Sequence, residues 1–475
     1  MNDPFVVVGG DAAGLSAASK CKRADPDRNV LVFEKSDWIS YAHCGMPYYV
    51  KGEVDSIGNL LSLSPAEVRE RGIDLRRNHE VLSVDPDRRV VRVAGEDGTF
   101  EQPYGDLVIA TGARARTAPI DGVDLDDVFT MHHMHSAARL RAFLTPPEEA
   151  DEGILDNEYV DFEGVSAYFE REPPETVAIV GGGYVGVEMA EAFREWDLET
   201  HLYQRSGRPA PAFGEAVGDE VAETLREAGV ALHLDTAVES IRGDGRAERL
   251  VAEDGELDVD CVLVGIGIRP NTELVEGTGV EFGESGAIRI DEYGRTAVED
   301  IYAAGDCAEK THTVTGEPEW VPLGLTANRA GRAIGQTVAG DPEPVGEIAG
   351  TAVLKAFELE CGRTGIVDHE RAREAGFDPV SETITAGSRS GYYPGNAETT
   401  VTLTADRESG ALLGGTIAGE DRAAIRIDVL ATALEHGATV AELERTDLAY
   451  APPFSPVWDP VLVAAKVLRG SLEAV

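Results

Sequence analysis

The chain has 475 residues, 43% of them hydrophobic, and carries 86 Asp and Glu against 42 Lys and Arg for a formal net charge of −44. That length predicts about three cores at roughly 100 to 200 residues per domain. So anionic a surface excludes nucleic acid as a partner, because phosphates need a cationic face, and no apolar run approaches the roughly 20 residues of a bilayer span, so no membrane partner is expected.

The acidity is spread along the whole chain, and arginine supplies most of the cations, a pattern that resembles proteins of salt-accumulating cells. A halophilic surface is therefore expected. The opening MNDPFVVVGG has no basic leader and runs straight into a strand pattern, which predicts a soluble cytoplasmic protein. Cysteines stand at 21, 44, 261, 307 and 361, with no C-x-x-C or similar spacing, so neither a disulfide framework nor a metal site is expected. Most should be buried small hydrophobes.

Residues 5–14, FVVVGGDAAG, are a β-branched run followed by glycines; a helical pattern and a second strand, NVLVFEK, come next. Gly9, Gly10 and Gly14 let a backbone approach a pyrophosphate at a helix N-terminus, and Glu34, twenty residues beyond Gly14, is placed to accept from a ribose. Asp11 departs from the usual pattern by standing where the second glycine is expected. At 40–50, SYAHCGMPYYV holds Cys44, with Tyr48 and Tyr49 where a second cysteine would give an internal disulfide. This thiol is read either as packing or as chemistry against something external.

LVIATGAR at 107–114 follows, and then a strongly acidic segment, 148–175, which lacks fold-defining periodicity and reads as an insertion of unknown function. TVAIVGGGYVGVEMAEAF at 176–193 carries Gly181, Gly183 and Gly186 at full G-x-G-x-x-G spacing, with ETHLYQR as the next strand. Its ribose position is Gln204, not a carboxylate, and Arg205 and Arg208 stand beside it, which favours the 2′-phosphate of NADPH while leaving NADH open. VLVGIGIRPN at 262–271 and TAVEDIYAAGDCAE at 296–309 complete the pattern; in the second, Asp306 follows a strand and Gly305, suited to ribityl hydroxyls of FAD. Two dinucleotide folds suggest two dinucleotides, one resident and one visiting. From about 345, TAVLKAFEL, TTVTLTAD and LLGGTIAG alternate as strands, and IRIDVLATALEHG repeats as a helix.

The two fingerprints, SYAHCGMPYY, IYAAGD, PLGLTANRAGR at 322–332 and YAPPFSPVWDP at 450–460 together resemble the FAD-dependent pyridine nucleotide-disulfide oxidoreductases over nearly the whole chain. Within them the chain looks most like the single-cysteine branch that contains coenzyme A-disulfide reductases, NADH oxidases and NADH peroxidases. The resemblance implies an α/β fold of two Rossmann-like dinucleotide-binding domains, FAD at 1–120 plus 271–340 and NAD(P)H at 121–270. A C-terminal α+β dimerisation domain at 345–475, and with it a homodimer, is also implied.

It further implies that Cys44 is redox-active beside the flavin, its thiolate favoured by helix-end amides, with Pro47 in the first helical turn. FAD would meet Gly9, Gly10, Ala13, Gly14, Glu34, Lys35, Val81, Thr111, Gly112, Asp306 and Leu323. NAD(P)H would meet Gly181, Gly183, Tyr184, Val185, Gly186, Gln204, Arg205 and Gly267, with Glu188 ordering the nicotinamide. Coenzyme A would meet Ser16, Lys20 and Arg23, which share one helix face, together with Ser40, His43, Arg76, Asn328 and Trp458. Tyr392 and Tyr450 would act as acids or ligand contacts supplied from the partner subunit, Tyr393 being an equal neighbour of the first.

Cys44 has two cycles open to it, a mixed disulfide or a sulfenic acid. Sulfenate-forming relatives carry a histidine where this chain has Ala12, which favours reduction of CoA disulfide by NADPH through FAD and Cys44. The alternatives are an NAD(P)H oxidase or peroxidase, a persulfide or polysulfide reductase, or, in another class, an electron-transfer flavoprotein or redox sensor.

Overall fold

Buried apolar runs build two five-stranded parallel sheets. In the computed structural model, which describes residues 3–149, Gly153, 159–160 and 162–473, the first sheet is ordered Ile301–Ala303, Asp106–Ile109, Phe5–Val8, Val30–Phe33 and Asp74–Arg76. The second is ordered Ala231–Leu234, Glu199–Gln204, Thr176–Val180, Cys261–Val264 and Val128–Phe129. Phe5–Val8 and Cys261–Val264 are buried along their whole length, as a sheet covered on both faces requires. Each unit also carries a three-stranded antiparallel meander, within Glu80–Pro103 in the first and Val238–Asp258 in the second. The chain passes from one unit to the other where Ala113–Ala115 pairs antiparallel with Ile268–Pro270.

In the first unit the helices Ala12–Ala24 and Gly324–Val338 cross with their backbones nearly touching. A Cβ on Gly331 would lie 2.1 Å from the Ala13 carbonyl oxygen, and one on Gly335 would lie 2.3 Å from that of Ala17. Glycines four apart put both bare positions on one helix face. The crossing holds the start of Gly324–Val338 beside the first glycine-rich turn.

The C-terminal unit is a five-stranded antiparallel sheet, ordered Ala352–Ala356, Leu359–Gly365, Leu412–Gly419, Glu398–Asp406 and Pro379–Gly387. Ile427, Leu430 and Leu434 on one helix and Val461, Ala465 and Leu468 on another pack on Val401, Leu403 and Ile417 of the sheet. This is the α+β unit that the strand alternations imply, and the whole is the α/β architecture expected.

The acidic segment 148–175 corrects the sequence reading in part. Residues 150–152, 154–158 and 161 lie outside the described residues, but Phe162–Phe169 is a helix, with Val165 and Tyr168 buried in the core against the helix Met134–Leu144 and Phe129. Two apolar anchors three residues apart suffice to seat eight residues, too short a run to announce itself by periodicity.

The three units meet at one buried carboxylate. Glu191, on the helix Tyr184–Glu195 of the second unit, is 6% exposed. Its Oε1 accepts from Lys51 Nζ of the first unit at 2.8 Å and from Lys355 Nζ of the C-terminal unit at 3.3 Å, and its Oε2 accepts from the Phe357 N–H at 2.9 Å. Lys51 is itself nearly buried, with a second partner in Glu53. Removing one member of such a pair strands the other charge, so Glu191→Ala is expected to cost about 3–5 kcal/mol in denaturant unfolding; a loss below about 1 kcal/mol would show that the junction is solvated rather than buried.

Candidate functional site

The two glycine-rich turns repeat one design. A Cβ on Gly9 would sit 2.1 Å from the Ala110 carbonyl oxygen and one on Gly14 would sit 1.9 Å from that of Gly9. In the second copy, Gly181 would meet the Gly265 oxygen at 2.4 Å and Gly186 the Gly181 oxygen at 1.8 Å. The last glycine of each turn thus serves helix-to-turn packing, and Gly14 and Gly186, expected as ligand contacts, are not among the residues that line the cleft. Gly112, Gly183 and Gly267 line the cleft, and a Cβ added at any of them would have no heavy atom within 4 Å, so bare backbone faces open space there.

The acceptor after each turn is held alike. Glu34 Oε2 accepts from the Gly10 N–H at 2.8 Å, and Gln204 Oε1 accepts from the Gly182 N–H at 2.9 Å. Burial raises the Glu34 carboxyl, opposed by the Gly10 and Ser36 bonds. Gln204 Nε2 donates to Ser206 Oγ, and Arg205 is exposed and lines the cleft. Arg208, expected beside them, instead donates to Asp219 at 2.6 Å and pairs with Glu215, which satisfies its charge away from the cleft.

One cleft of about 2770 Å³ runs from the first turn past Cys44 to the second. This exceeds the roughly 300–1,000 Å³ of a single small-molecule site. Glu34, Lys35, Val81, Thr111, Asp306 and Leu323 line it, as do Tyr184, Val185 and Glu188. With its two cradles, the cleft fits two dinucleotides.

Cys44 opens to this cleft from a short turn, His43–Gly45, that leads into the helix Met46–Lys51, with Pro47 in its first turn. The loop before it is anchored to the first glycine turn: Ser40 N–H donates to the Gly10 carbonyl at 3.1 Å, and Tyr41 N–H donates to Asp11 Oδ1 at 3.1 Å. Asp11 Oδ2 also lies 2.8 Å from His43 Nε2. The residue that departs from the glycine pattern is therefore what ties the thiol loop to the cradle. Gly45 packs close to Leu60, whose Cδ2 would lie 2.5 Å from an added Cβ, so a larger residue there would displace the Leu60 side chain.

The expected depression of the Cys44 pKa is not found in the protein itself. Burial pushes the thiol up, and the Glu188 and Asp306 carboxylates push it further, against one backbone N–H that lowers it. The six-residue helix offers too small a field to reverse this. Glu188 is raised to about 7 by burial and by Glu191, opposed by a hydrogen bond from the Tyr48 hydroxyl. Tyr48, four residues after Cys44 in the helix Met46–Lys51, is raised to about 12 chiefly by burial. The other cysteines, 21, 261, 307 and 361, are buried.

Among the residues expected to meet coenzyme A, Ser16, Arg23, Ser40, His43 and Asn328 line the cleft, and Ser16 Oγ donates to Asn328 Oδ1 at 2.7 Å. Lys20 and Arg76 do not line it; Arg76 pairs with Asp74 and lies over the Phe33 ring. Tyr392, Tyr450 and Trp458 are 80%, 61% and 51% exposed on the C-terminal unit, and this chain does not bring them to its own Cys44 cleft.

Sequence reasoning missed Tyr48, the Asp11 to His43 contact, and His132 and His133, which line the cleft near His43. It also missed Lys310, a buried lysine near Asp306 whose Nζ donates to the Thr326 carbonyl at 2.5 Å and which burial lowers to about 7. Only its place four residues after Asp306 could have flagged it.

Residues 3–327 match the family described as pyridine nucleotide-disulphide oxidoreductase, and residues 351–460 match the dimerisation domain of that family. Over 472 residues the chain is 39% identical to the NAD(P)H coenzyme A polysulfide/persulfide reductase of Pyrococcus horikoshii, covering 99% of both chains. It is 26% identical to the coenzyme A disulfide reductase of Staphylococcus aureus (strain COL), covering 95% of this chain and 96% of that one. The solved NAD-dependent persulfide reductase from A. fulgidus superposes with a TM-score of 0.90 at 34% identity, over 100% of this chain and 84% of that one.

The electrostatics of the thiol give a direct test. Glu188→Gln removes the stronger of two carboxylate influences that disfavour the Cys44 thiolate, so the pH midpoint of Cys44 alkylation by iodoacetamide is expected to fall. An unmoved or higher midpoint would show that Glu188 does not reach the thiol.

Proposed function

The chain belongs to the pyridine nucleotide-disulphide oxidoreductase family, enzymes that use FAD and NAD(P)H, and we propose that it passes two electrons from NADPH, by way of FAD and Cys44, to coenzyme A disulfide. One observation carries the reading. Cys44 opens to the cleft between the two cradles, whereas every other cysteine is buried, so its sulfur partner must come from outside the chain.

Bound along the first cradle, FAD supplies the two-electron relay between nicotinamide and thiol. Glu34 would hold its ribose, Asp306 its ribityl chain, and the open backbone at Gly112 leaves room for its close approach. Cys44, as thiolate, attacks one sulfur of the disulfide: a bond from Sγ forms, the substrate S–S bond breaks, and one CoA leaves as a thiolate. Two electrons originating in NADPH then break the mixed disulfide, release the second CoA and restore the Cys44 thiolate. The balance is NADPH, one proton and CoA disulfide in, NADP⁺ and two CoA thiols out. Ser16, Arg23, Ser40, His43 and Asn328 lie where they would receive the CoA body, with Arg23 meeting phosphate.

Tyr392 and Tyr450 would reach the leaving thiolate from a second copy, donating a proton or a hydrogen bond. Their exposure, with that of Phe454, Val457 and Ile425, supports a homodimer in which each cleft borrows the partner's C-terminal unit. The strongly acidic surface supports function in a salt-rich cytoplasm.

A second reading, reduction of a persulfide or polysulfide, is favoured by the names of the more similar relatives and uses the same thiol. Ala12 in the glycine turn leaves sulfenate chemistry, and thus an NAD(P)H oxidase or peroxidase, less supported.

Two measurements bear on this. Anaerobic NADPH consumption by FAD-loaded protein in high salt is expected with CoA disulfide and should vanish in Cys44→Ser. No turnover with CoA disulfide but turnover with polysulfide would select the second reading, and oxidation only once air or peroxide is admitted would select the sulfenate cycle. In steady-state kinetics, Arg205→Ala should raise KM for NADPH about tenfold, the scale of one lost hydrogen bond to a charged group, and leave KM for NADH unchanged. Equal effects on both would remove the argument for NADPH.

A further inference from the structure

Arg426, just before the helix Ile427–Glu435, is a buried arginine, 8% exposed, that the reaction above does not use. A guanidinium has five N–H donors in a fixed fork, and every one is engaged. Nε donates to Asp459 Oδ2 at 3.0 Å. One terminal nitrogen donates to the Asp421 and Arg422 carbonyls at 3.1 and 2.8 Å, and the other donates to the Ser388 and Phe454 carbonyls at 2.8 and 3.3 Å.

These acceptors lie on the segment 421–422 and at the roots of two separate loops. Ser388 opens the loop that carries Tyr392, whereas Phe454 and Asp459 bound the stretch that carries Trp458 and follows Tyr450. Asp421, next to the Arg426 fork, also takes a two-pronged contact from Arg389 at 2.5 and 2.7 Å, and Arg389 in turn donates to the Pro394 carbonyl within the Tyr392 loop. Arg422 donates to the Pro453 carbonyl in the other loop at 2.6 Å. Asp459 accepts from Ser455 Oγ and from the Val461 N–H, which fixes where the final helix begins. Two loops 58 residues apart in sequence (Tyr392 to Tyr450) thus share one charged root while their aromatic tips stay exposed.

We propose that Arg426 is a positioning residue for the disulfide half of the reaction: it fixes the spacing between the Tyr392 loop and the Tyr450–Trp458 loop, so that both tips present one preformed surface to the thiol cleft of a second copy. This rests on the reading that those tips serve a partner's Cys44. Lysine cannot replace Arg426, because three donors cannot serve five acceptors on three segments. The nicotinamide half of the reaction uses residues of the first two units and does not involve this root.

The test compares native FAD-loaded protein with Arg426→Lys and Arg389→Lys by three readouts: anaerobic flavin reduction by NADPH, reoxidation of the reduced enzyme by CoA disulfide, and local hydrogen exchange. For Arg426→Lys, flavin reduction should stay within about twofold of native while the reoxidation rate falls roughly tenfold or more, the scale of a misplaced reacting group. Exchange should rise in 388–396 and 450–458 together. Arg389→Lys should raise exchange in 388–396 alone, and this variant decides the matter if Arg426→Lys does not fold. Native exchange in both loops, loosening of only one loop by Arg426→Lys, or an equal fall in both half-reactions would overturn the proposal. If native enzyme does not reduce CoA disulfide, the substrate reading fails; native-like exchange in Arg426→Lys would separately refute the root itself.

Discussion

A carboxylate with almost no access to water holds the three units of this chain in one arrangement. Glu191 meets a lysine from the helix that follows Cys44, and a lysine and a backbone N–H from the C-terminal sheet. Burying that charge is costly, and the contacts that offset the cost come from parts of the chain 140 and more residues away. Its helix also carries Glu188 one turn earlier, so the junction fixes both ends of the thiol's surroundings. Lys51 holds the far end of the Cys44 helix while Glu188 receives the hydroxyl of Tyr48 in its middle.

Around that junction the chain places two cradles made of bare backbone and one thiol between them. At the glycine turns themselves neither cradle offers a positive side chain, which suits a chain with twice as many acids as bases. Polar hydrogens of the backbone and helix starts take that part, and glycine is needed because a methyl group would collide with a carbonyl of the same turn at Gly14 and Gly186, or of a neighbouring segment at Gly9 and Gly181. The thiol's position has a cost, since burial and then the Glu188 and Asp306 carboxylates disfavour its thiolate.

Much of this is legible in the sequence because it is local. A strand, a glycine turn and a helix leave their periodicity and spacing within twenty residues, and Cys44 lacks a second cysteine nearby, which narrows its chemistry before any fold is known. What cannot be read there is made by contacts across the fold. Asp11 looks like a blemish in a fingerprint and is an anchor for the loop at 41–43. Lys51, Glu191 and Arg426 look like ordinary helix charges until tertiary packing buries them. The acidity of Cys44 escapes a reading of the sequence for the same reason: the helix start is adjacent in sequence, while Glu188 and Asp306 arrive from 144 and 262 positions away (188 − 44 and 306 − 44). Phe162–Phe169 is hidden by an acidic composition around two buried anchors.

The matched bonds of Glu34 and Gln204 have an evolutionary consequence. What the turn asks of either position is one oxygen on a flat, two-oxygen-or-amide head group, accepting from a backbone N–H. Glutamate and glutamine both supply that oxygen, but the second atom of the head group is wired differently: Glu34 Oε1 accepts from the Ser36 N–H and hydroxyl, whereas Gln204 Nε2 donates to Ser206 Oγ, and the charge offered to a passing ribose differs by a full unit. A lineage that shifts between two cellular pools of reducing power by exchanging this residue must therefore also rewire the contacts of that second atom, so coenzyme choice and local folding change together.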